Sequence, residues 1–154
     1  MTRIRMDMTV DAPRDEVWEL LTDIERMPEY STLTEEVTYI SEGPVGEGTV
    51  WEEANPIGSI PTTGYWRVVE FDPPSHFVFD GDASFVNADV TFDLEDQNGK
   101  TELRQVTTYE FLPQLGFVGW LLDRFIFRYV LALGQAESLK NFKEMAESQG
   151  TEDE

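Results

Sequence analysis

The chain lacks cysteine altogether, and it has a single histidine, His76, among its 154 residues. The absence of cysteine excludes a disulfide scaffold, a thiolate zinc site and a cysteine nucleophile. A Ser-His-Asp arrangement or a histidine-based metal site would have to use His76. Because His76 follows a Pro-Pro-Ser turn and begins a predicted strand, we interpret it as a solvated turn residue rather than a general base. The sequence therefore indicates no metal site and no cofactor.

Long uncharged apolar runs are also missing. The start of the chain has no extended apolar region after its charged residues, so no secretory signal is indicated. The most apolar stretch, residues 111–133, contains Asp123, Arg124 and Arg128, and it therefore fails as a membrane-spanning helix. These features predict a soluble, cytoplasmic protein that does not insert into membranes.

Basic residues are scarce, with 11 Lys and Arg against 31 Asp and Glu and a formal net charge of -20. So negative a surface repels phosphate backbones, so nucleic acid is not expected as a partner. The acidity is spread along the chain, and only three of the basic residues are lysine. This pattern is typical of a salt-saturated cytoplasm, such as that of a halophilic archaeon, where a carboxylate shell keeps proteins hydrated. The alternative interpretation of the acidity is a surface that binds a basic partner.

Length and patterning predict one domain over residues 1–150, followed by a disordered acidic tail at 151–154. A strand at 3–10 precedes a helix, with Asp11 or Ala12 as its cap and Pro13 at its first helical position. A short second helix follows near Pro28.

Strand patterns fill residues 34–111, including a hairpin around Asn98-Gly99, and one long helix covers about 116–148. Short connections make the sheet antiparallel. The predicted fold class is α+β: a curved sheet of about seven strands, wrapped around a long C-terminal helix, with two short helices after strand 1.

The segment 11–30 (DAPRDEVWELLTDIERMPEY) resembles the opening motif of the START-like, or SRPBCC, superfamily. More narrowly, it is similar to the polyketide cyclase/dehydrase and lipid-transport group, which has the birch-pollen-allergen (helix-grip) fold. The glycine loop 42–49, the hairpin around 69–79 and the closing helix with residues 139–142 continue the resemblance. It implies a sheet gripping the last helix, with an apolar cavity between them that holds lipids, polyketides or quinone-like molecules. The glycine loop is a hairpin turn that, in this family, borders the cavity.

Aromatic and polar side chains of the strands supply the candidate ligand-binding residues. Alternation along strand 103–109 places Gln105, Thr107 and Tyr109 on the inward face, where buried polar groups need partners. For strand 65–71 two choices stay open, because either Tyr65 and Arg67 or the intervening Trp66 and Val68 face inward. The candidates are Trp51, Tyr65, Arg67, Phe85, Phe92, Gln105, Thr107, Tyr109, Trp120 and Arg124.

The first half of the long helix is apolar on all sides, so that one face packs on the sheet and another must meet a ligand or a partner chain. A homodimer through this surface is one interpretation. Arg124 and Arg128 share a face, and they either clamp a ligand carboxylate or pair with nearby acids. Gly134 in mid-helix suggests a bend or a close approach to the sheet.

Three functions remain open at this point. The first is binding or carriage of a small hydrophobic ligand in the internal cavity. The second is a metal-free cyclase or dehydrase that uses the same cavity, with Tyr109, Arg67, Gln105 and an inward carboxylate such as Glu52 as candidates for proton transfer. The third is an interaction module built on the apolar half of the long helix.

Overall fold

The computed structural model describes residues 1–56, 59–83 and 85–152, with the backbone alone for 150–152. The elements follow the predicted order of one strand, two short helices, six strands and a long helical segment. They are β1 (Thr2–Val10), α1 (Arg14–Thr22), a 3₁₀-helix (Ile24–Glu29), β2 (Glu36–Ile40), β3 (Val50–Ala54), β4 (Thr63–Asp72), β5 (His76–Ala83), β6 (Val86–Gln97), β7 (Lys100–Phe111), a 3₁₀-turn (Pro113–Leu115), α2 (Phe117–Leu122), a π-helical turn (Asp123–Phe127) and α3 (Arg128–Glu152).

All seven strands form one antiparallel sheet in the order β1-β7-β6-β5-β4-β3-β2, which confirms the predicted fold class. The hairpin between β6 and β7 turns at Asn98 and Gly99, and both have positive φ, as the Asn-Gly signal predicts. Two boundaries differ from expectation. Pro13 is the N-cap of α1 rather than its first helical residue. The helix α3 continues to Glu152, past the predicted end, while Asp153 and Glu154 of the predicted acidic tail lie outside the described residues.

The core lies on the concave face of the sheet, where seven aromatic rings interlock with centroid separations of 5.1–6.4 Å. Helix α1 closes one end of this face, because Val17, Trp18 and Leu21 are buried against it. Rigid aromatic packing of this kind contributes beyond the burial of apolar area. The rings belong to Trp18, Trp51, Trp66, Phe71, Phe77, Phe79 and Phe92.

The long helix lies along β1 and β7, at one edge of the sheet. The Gln135 amide donates to Thr107 Oγ1 at 2.9 Å on β7, and the Lys143 ammonium donates to the carbonyl of Thr9 at 2.9 Å on β1. The opposite side of α3 meets the segment after the first 3₁₀-helix. There a Cβ added at Gly134 would lie 3.0 Å from Leu33 Cδ2, so the glycine permits close approach to this loop, whereas the sequence had suggested an approach to the sheet. The helix is therefore held between the sheet edge and the 30–34 segment.

The convex face carries a polar ladder across five strands, β4, β5, β6, β7 and β1. His76 hydrogen-bonds Asp93 at 2.7 Å and Glu70 at 2.6 Å, so it is a half-buried, doubly bonded residue rather than a freely solvated one. The hydrogen bonds to Asp93 and Glu70 raise the pKa of the His76 imidazole. Further along the face, Arg104 pairs with Asp7 at 3.1 Å. Because this ladder is on the solvent side, it contributes to the outer surface and not to the concave site.

Among the described residues, no helix is long and apolar enough to cross a bilayer.

Candidate functional site

The concave face is open at the end where the β5–β6 turn lies. Along β6 the inward side chains change from half-exposed at Val86 and Ala88 to buried at Val90, Phe92 and Leu94. The neighbouring strands show the same gradient, because Ala83 and Phe111 are half-exposed and Phe79 is buried. We call this partly covered region the open trough. Its sheet residues are Trp66, Gly81, Ala83, Val86, Ala88 and Phe111.

Small residues form the floor of the open trough. In the register of the sheet, Tyr109 is opposite Ala88, Ala88 is opposite Gly81, and Gly81 is opposite Trp66. A Cβ added at Gly81 would lie 2.8 Å from Trp66 Cε3, so the Trp66 ring lies against Gly81, and Ala88 beside it is partly exposed. The concave face is thus filled by aromatic rings near α1 and less fully covered near the β5–β6 turn.

One wall of the trough is built where the helical segment meets β7. Phe127 stacks on Phe111 with ring centroids 3.9 Å apart and an interplanar angle of 8°. The Tyr109 hydroxyl donates a 2.6 Å hydrogen bond to the carboxylate of Asp123, and the Thr2 hydroxyl donates to the same carboxylate. Asp123 is 6% exposed, and this pair of donors stabilises its buried charge. Burial and the Asp123 carboxylate raise the pKa of Tyr109, so the phenol stays protonated as a donor.

The opposite wall contains a second buried carboxylate, Glu53, which is 4% exposed. Its oxygens accept hydrogen bonds from Thr34 Oγ1 at 3.1 Å, Trp51 Nε1 at 3.3 Å and Asn55 Nδ2 at 3.1 Å. Burial raises the pKa of Glu53, and these donors oppose the shift. The indole nitrogen of Trp66 is close enough to lower the same pKa, yet it is buried and makes no hydrogen bond of normal geometry to a described residue.

Polar side chains also lie beneath the helix, between the two walls. Gln105 and Thr107 are buried on the inward face of β7, as the alternation predicted. Thr107 accepts from the Gln135 amide, whereas Gln135 Oε1 is buried with no hydrogen-bond donor among the described residues. The trough therefore combines apolar floor and walls with a few polar atoms, the usual make-up of a small-molecule site.

The structure places five of the predicted residues on the concave face: Trp51, Phe92, Gln105, Thr107 and Tyr109. It separates them from Tyr65 and Arg67, which are exposed on the convex face. Of the two choices left open for this strand, the one with Trp66 and Val68 inward is correct, and the one with Tyr65 and Arg67 inward is wrong. Strand β4 is constrained by its register, because Trp66 is opposite the buried Trp51.

The proposed inward carboxylate was assigned one residue too early on β3. Glu52 is half-exposed on the outward, convex face of β3. Trp51 and Glu53, on either side of it, are both buried on the inward face. Adjacent strand residues point to opposite faces, so Trp51 and Glu52 could never share one. The alternation rule applied from Trp51 would have identified Glu53 from the sequence.

The remaining candidates lie away from the buried part of the concave face. Phe85 is half-buried in the turn between β5 and β6. Trp120 is 50% exposed, and the exposed Arg124 lies over its ring, with the guanidinium carbon 5.6 Å from the ring centroid. The ligand-binding roles of all these residues remain predictions.

A separate surface groove of about 380 Å³ lies beside the glycine loop. It is formed by Asp23, Ile24 and Glu25 of the first 3₁₀-helix region and by residues 40–45. The glycine loop therefore borders a groove that is open to solvent. None of the residues that line this groove belongs to the open trough.

The comparisons with known proteins agree with this architecture. The family model for polyketide cyclase / dehydrase and lipid transport matches residues 1–147. The structure of TTHA0849 from Thermus thermophilus superposes with a TM-score of 0.79 at 17% identity, covering 96% of this chain and 99% of that one.

Two structures of aromatase/cyclases are similar as well. The Zhui aromatase/cyclase from a Streptomyces species has a TM-score of 0.72 at 19% identity, covering 95% of this chain and 93% of that one. The di-domain aromatase/cyclase StfQ of the steffimycin biosynthetic pathway has a TM-score of 0.77 at 17% identity, and the match covers 97% of this chain and 51% of that one. These likenesses establish the fold. No curated protein sequence matches the chain significantly.

The Tyr109–Asp123 hydrogen bond yields a stability prediction. Replacing Tyr109 with Phe removes one of the two hydroxyl donors to a buried carboxylate. We expect Tyr109→Phe to lower the free energy of unfolding by about 1–3 kcal/mol, the cost of leaving a buried charged acceptor under-satisfied. Urea unfolding followed by circular dichroism measures this. Tyr65→Phe is the matched control, because the Tyr65 ring is 55% exposed on the convex face. Equal effects of the two substitutions would contradict the assigned role of Asp123.

Proposed function

Because the chain belongs to the polyketide cyclase/dehydrase and lipid-transport family, we propose that it binds a small hydrophobic ligand, lipid-like or polycyclic, in the open trough. The observation that supports this most directly is the gradient of burial along β6, from Leu94 in the core to the half-exposed Ala88 and Val86. The partial exposure leaves apolar side chains on the inward face available to a ligand. Here the partial exposure occurs where the floor residues are smallest.

The binding energy would come from apolar area that the trough now leaves in contact with water. Burial of such area stabilises a complex by roughly 25 cal/mol per Å², before the costs of association. A flat ligand would be placed between the stacked Phe111 and Phe127 on one side and the Trp66 indole on the other. Rigid aromatic walls lose little conformational entropy when a ligand binds between them.

Two unsatisfied polar atoms at the trough would orient the ligand. Trp66 Nε1 is a buried donor that interacts with Glu53 without a hydrogen bond of normal geometry, and Gln135 Oε1 is a buried acceptor with no donor within the described part of the chain. A buried polar group without a partner costs free energy, so a ligand carbonyl and a ligand hydroxyl would each recover some of it. This favours an oxygenated polycyclic or quinone-like molecule over a plain hydrocarbon chain.

Filling the floor of the trough tests the proposal. Ala88→Leu adds three carbons where the row Tyr109–Ala88–Gly81–Trp66 has its small centre. We expect it to weaken binding of the neutral probe N-phenyl-1-naphthylamine by about tenfold or more, the effect of losing roughly 1.4 kcal/mol or more of contact. Probe fluorescence in a titration measures the dissociation constant.

Ala136→Leu is the control, since it makes the same chemical change at an exposed position of α3. Circular dichroism confirms that both variants are folded. Saturable binding that Ala88→Leu leaves unchanged would show that the probe binds elsewhere, and absence of binding to the wild type would contradict the proposal itself.

Catalysis of the cyclase or dehydrase kind in the same trough is the second candidate, and Glu53 is the observation that favours it. Burial raises the pKa of this carboxyl group, which is the direction that favours a general acid, and its hydrogen-bond donors oppose the shift. Its three donors hold the side chain in one orientation beside Trp66. In this scheme Glu53 protonates a ligand carbonyl or removes a proton next to it, and no metal takes part.

The pair Glu53→Gln and Glu52→Gln separates catalysis from binding. Both changes remove a carboxylate at neighbouring positions of β3, one buried and one half-exposed on the convex face. If Glu53 transfers protons, Glu53→Gln should slow intramolecular aldol cyclisation of an aromatic diketone by about 100-fold or more, as is typical for loss of a general acid or base. Probe affinity should stay near the wild-type value. Ultraviolet absorbance of the product measures the cyclisation rate. Equal rates in the two variants would exclude proton transfer by Glu53.

A homodimer through the helical segment is a further part of the proposal. Between Pro113 and Ala136 the only acidic residue is the buried Asp123, in a chain with 31 acidic residues overall. Two copies could therefore meet here without placing carboxylates against each other. The exposed apolar side chains in this segment are Leu115, Phe117, Val118, Trp120, Leu121, Leu122, Phe125, Ile126, Tyr129, Val130 and Leu133.

Multi-angle light scattering tests the dimer. We expect a mass of twice 17.7 kDa for the wild type. Phe125→Glu should give the monomer, because it places a charge on the exposed apolar surface without touching the core. A monomeric wild type would contradict this part of the proposal and leave the ligand site unaffected.

A further inference from the structure

A second groove lies at the edge of the sheet and shares Thr2 and Asp123 with the wall of the open trough. It has a volume of about 240 Å³ and lies between the start of β1 and the helical segment 120–128. Arg3 contributes from the strand, and Trp120, Arg124 and Arg128 contribute from the helical segment. None of these four residues belongs to the floor or to the stacked wall of the trough.

The groove collects positive charge on a strongly negative protein. Three of the eight arginines in the chain line it, and Asp123 is the one acidic residue among its lining side chains. The two carboxylate oxygens of Asp123 already accept hydrogen bonds from Tyr109 and Thr2. Three guanidinium groups against one carboxylate leave a local formal charge of about +2, since arginine is always protonated in proteins.

The three arginines lack ion pairs with the rest of the described chain. The salt bridges formed there use Arg5, Arg26, Arg104, His76 and Lys143 as cations. With 31 acidic side chains available, the simplest expectation for an exposed arginine is a carboxylate neighbour, and the sequence had suggested such pairs for Arg124 and Arg128. Their absence keeps the N–H donors of this cluster free for another acceptor.

Arg124 is oriented by an aromatic ring instead of by a carboxylate. Its guanidinium carbon lies 5.6 Å from the centroid of the Trp120 ring, within the range of a cation–π contact. Phe117 stacks against the same indole at 5.7 Å and supports it. A guanidinium that lies over a ring keeps the N–H donors at its edge available for a two-pronged hydrogen bond to an oxyanion.

We propose that this edge groove binds a phosphate monoester, with the dianionic phosphate held by Arg3, Arg124 and Arg128. The charge of a phosphate monoester at neutral pH, between about -1.5 and -2, matches the local charge of the groove better than the single charge of a carboxylate. The overall negative field of the protein opposes the approach of an anion. Salt screens that field beyond about 8 Å at physiological ionic strength, whereas the three guanidinium groups act at contact distance.

Isothermal titration calorimetry with phenyl phosphate tests the site, with phenyl sulfate as a monoanion of nearly the same shape. We expect saturable binding of phenyl phosphate, at least about tenfold tighter than that of phenyl sulfate, because the second charge adds to each guanidinium contact. Inorganic phosphate should bind as well, since the recognised group is the phosphate itself. All titrations are run at one fixed ionic strength.

Single substitutions locate the site. Each of Arg3→Gln, Arg124→Gln and Arg128→Gln should weaken phenyl phosphate binding by about tenfold or more, the usual effect of losing a charged hydrogen bond. Arg67→Gln is the matched control, because it changes the net charge equally at an exposed arginine on the convex face.

Equal weakening in Arg67→Gln and the three groove variants would show a non-specific charge effect and overturn the proposal, as would absence of saturable binding to the wild type. Binding of N-phenyl-1-naphthylamine should be unchanged in Arg3→Gln, because Arg3 lines the edge groove and not the open trough. The edge groove and the open trough can therefore fail or succeed independently.

Discussion

The structure depends on the hydrogen bonds that Tyr109 and Thr2 donate to the buried Asp123. A carboxylate in this position would be strongly unfavourable without them, so the π-helical turn that carries it is tied to the ends of β1 and β7. The tight approach of Gly119 to the carbonyl oxygens of Phe111 and Leu112, where a side chain would not fit, reinforces the same anchor. The start of the helical segment is therefore fixed beside β7, and α3 continues from there between this edge and the 30–34 segment.

The position of the helix explains both surfaces to which we assign binding. On the side toward β4, β5 and β6, the uncovered floor of small residues becomes the open trough, with Phe127 stacked on Phe111 as its wall. On the side toward the edge strand, the same segment presents Trp120, Arg124 and Arg128 beside Arg3. One is an apolar surface with two unsatisfied polar atoms, and the other is a small concentration of positive charge on a protein of net charge -20.

Local patterns in the sequence predicted much of the fold, and packing decided the rest. The alternation of β7 placed Gln105, Thr107 and Tyr109 inward, as observed, because Leu103 and Tyr109 marked one face unambiguously. Strand β4 carries aromatic or aliphatic residues on both faces, so its orientation depended on Trp51 of the neighbouring strand, a contact that no local pattern contains. Asp123 could be seen in the sequence only as a charge that interrupts an apolar run. Its partners, Thr2 and Tyr109, are 121 and 14 residues away along the chain.

The central claim is that the uncovered concave face is a ligand site and not simply a loosely packed end of the core. Nuclear Overhauser contacts between bound N-phenyl-1-naphthylamine and selectively labelled alanine methyl groups test it most directly. The account predicts contacts to Ala83 and Ala88, which are half-exposed on the inward face, and none to Ala136, which is exposed on α3. Saturable binding without contacts to Ala83 and Ala88 would place the ligand elsewhere and contradict it.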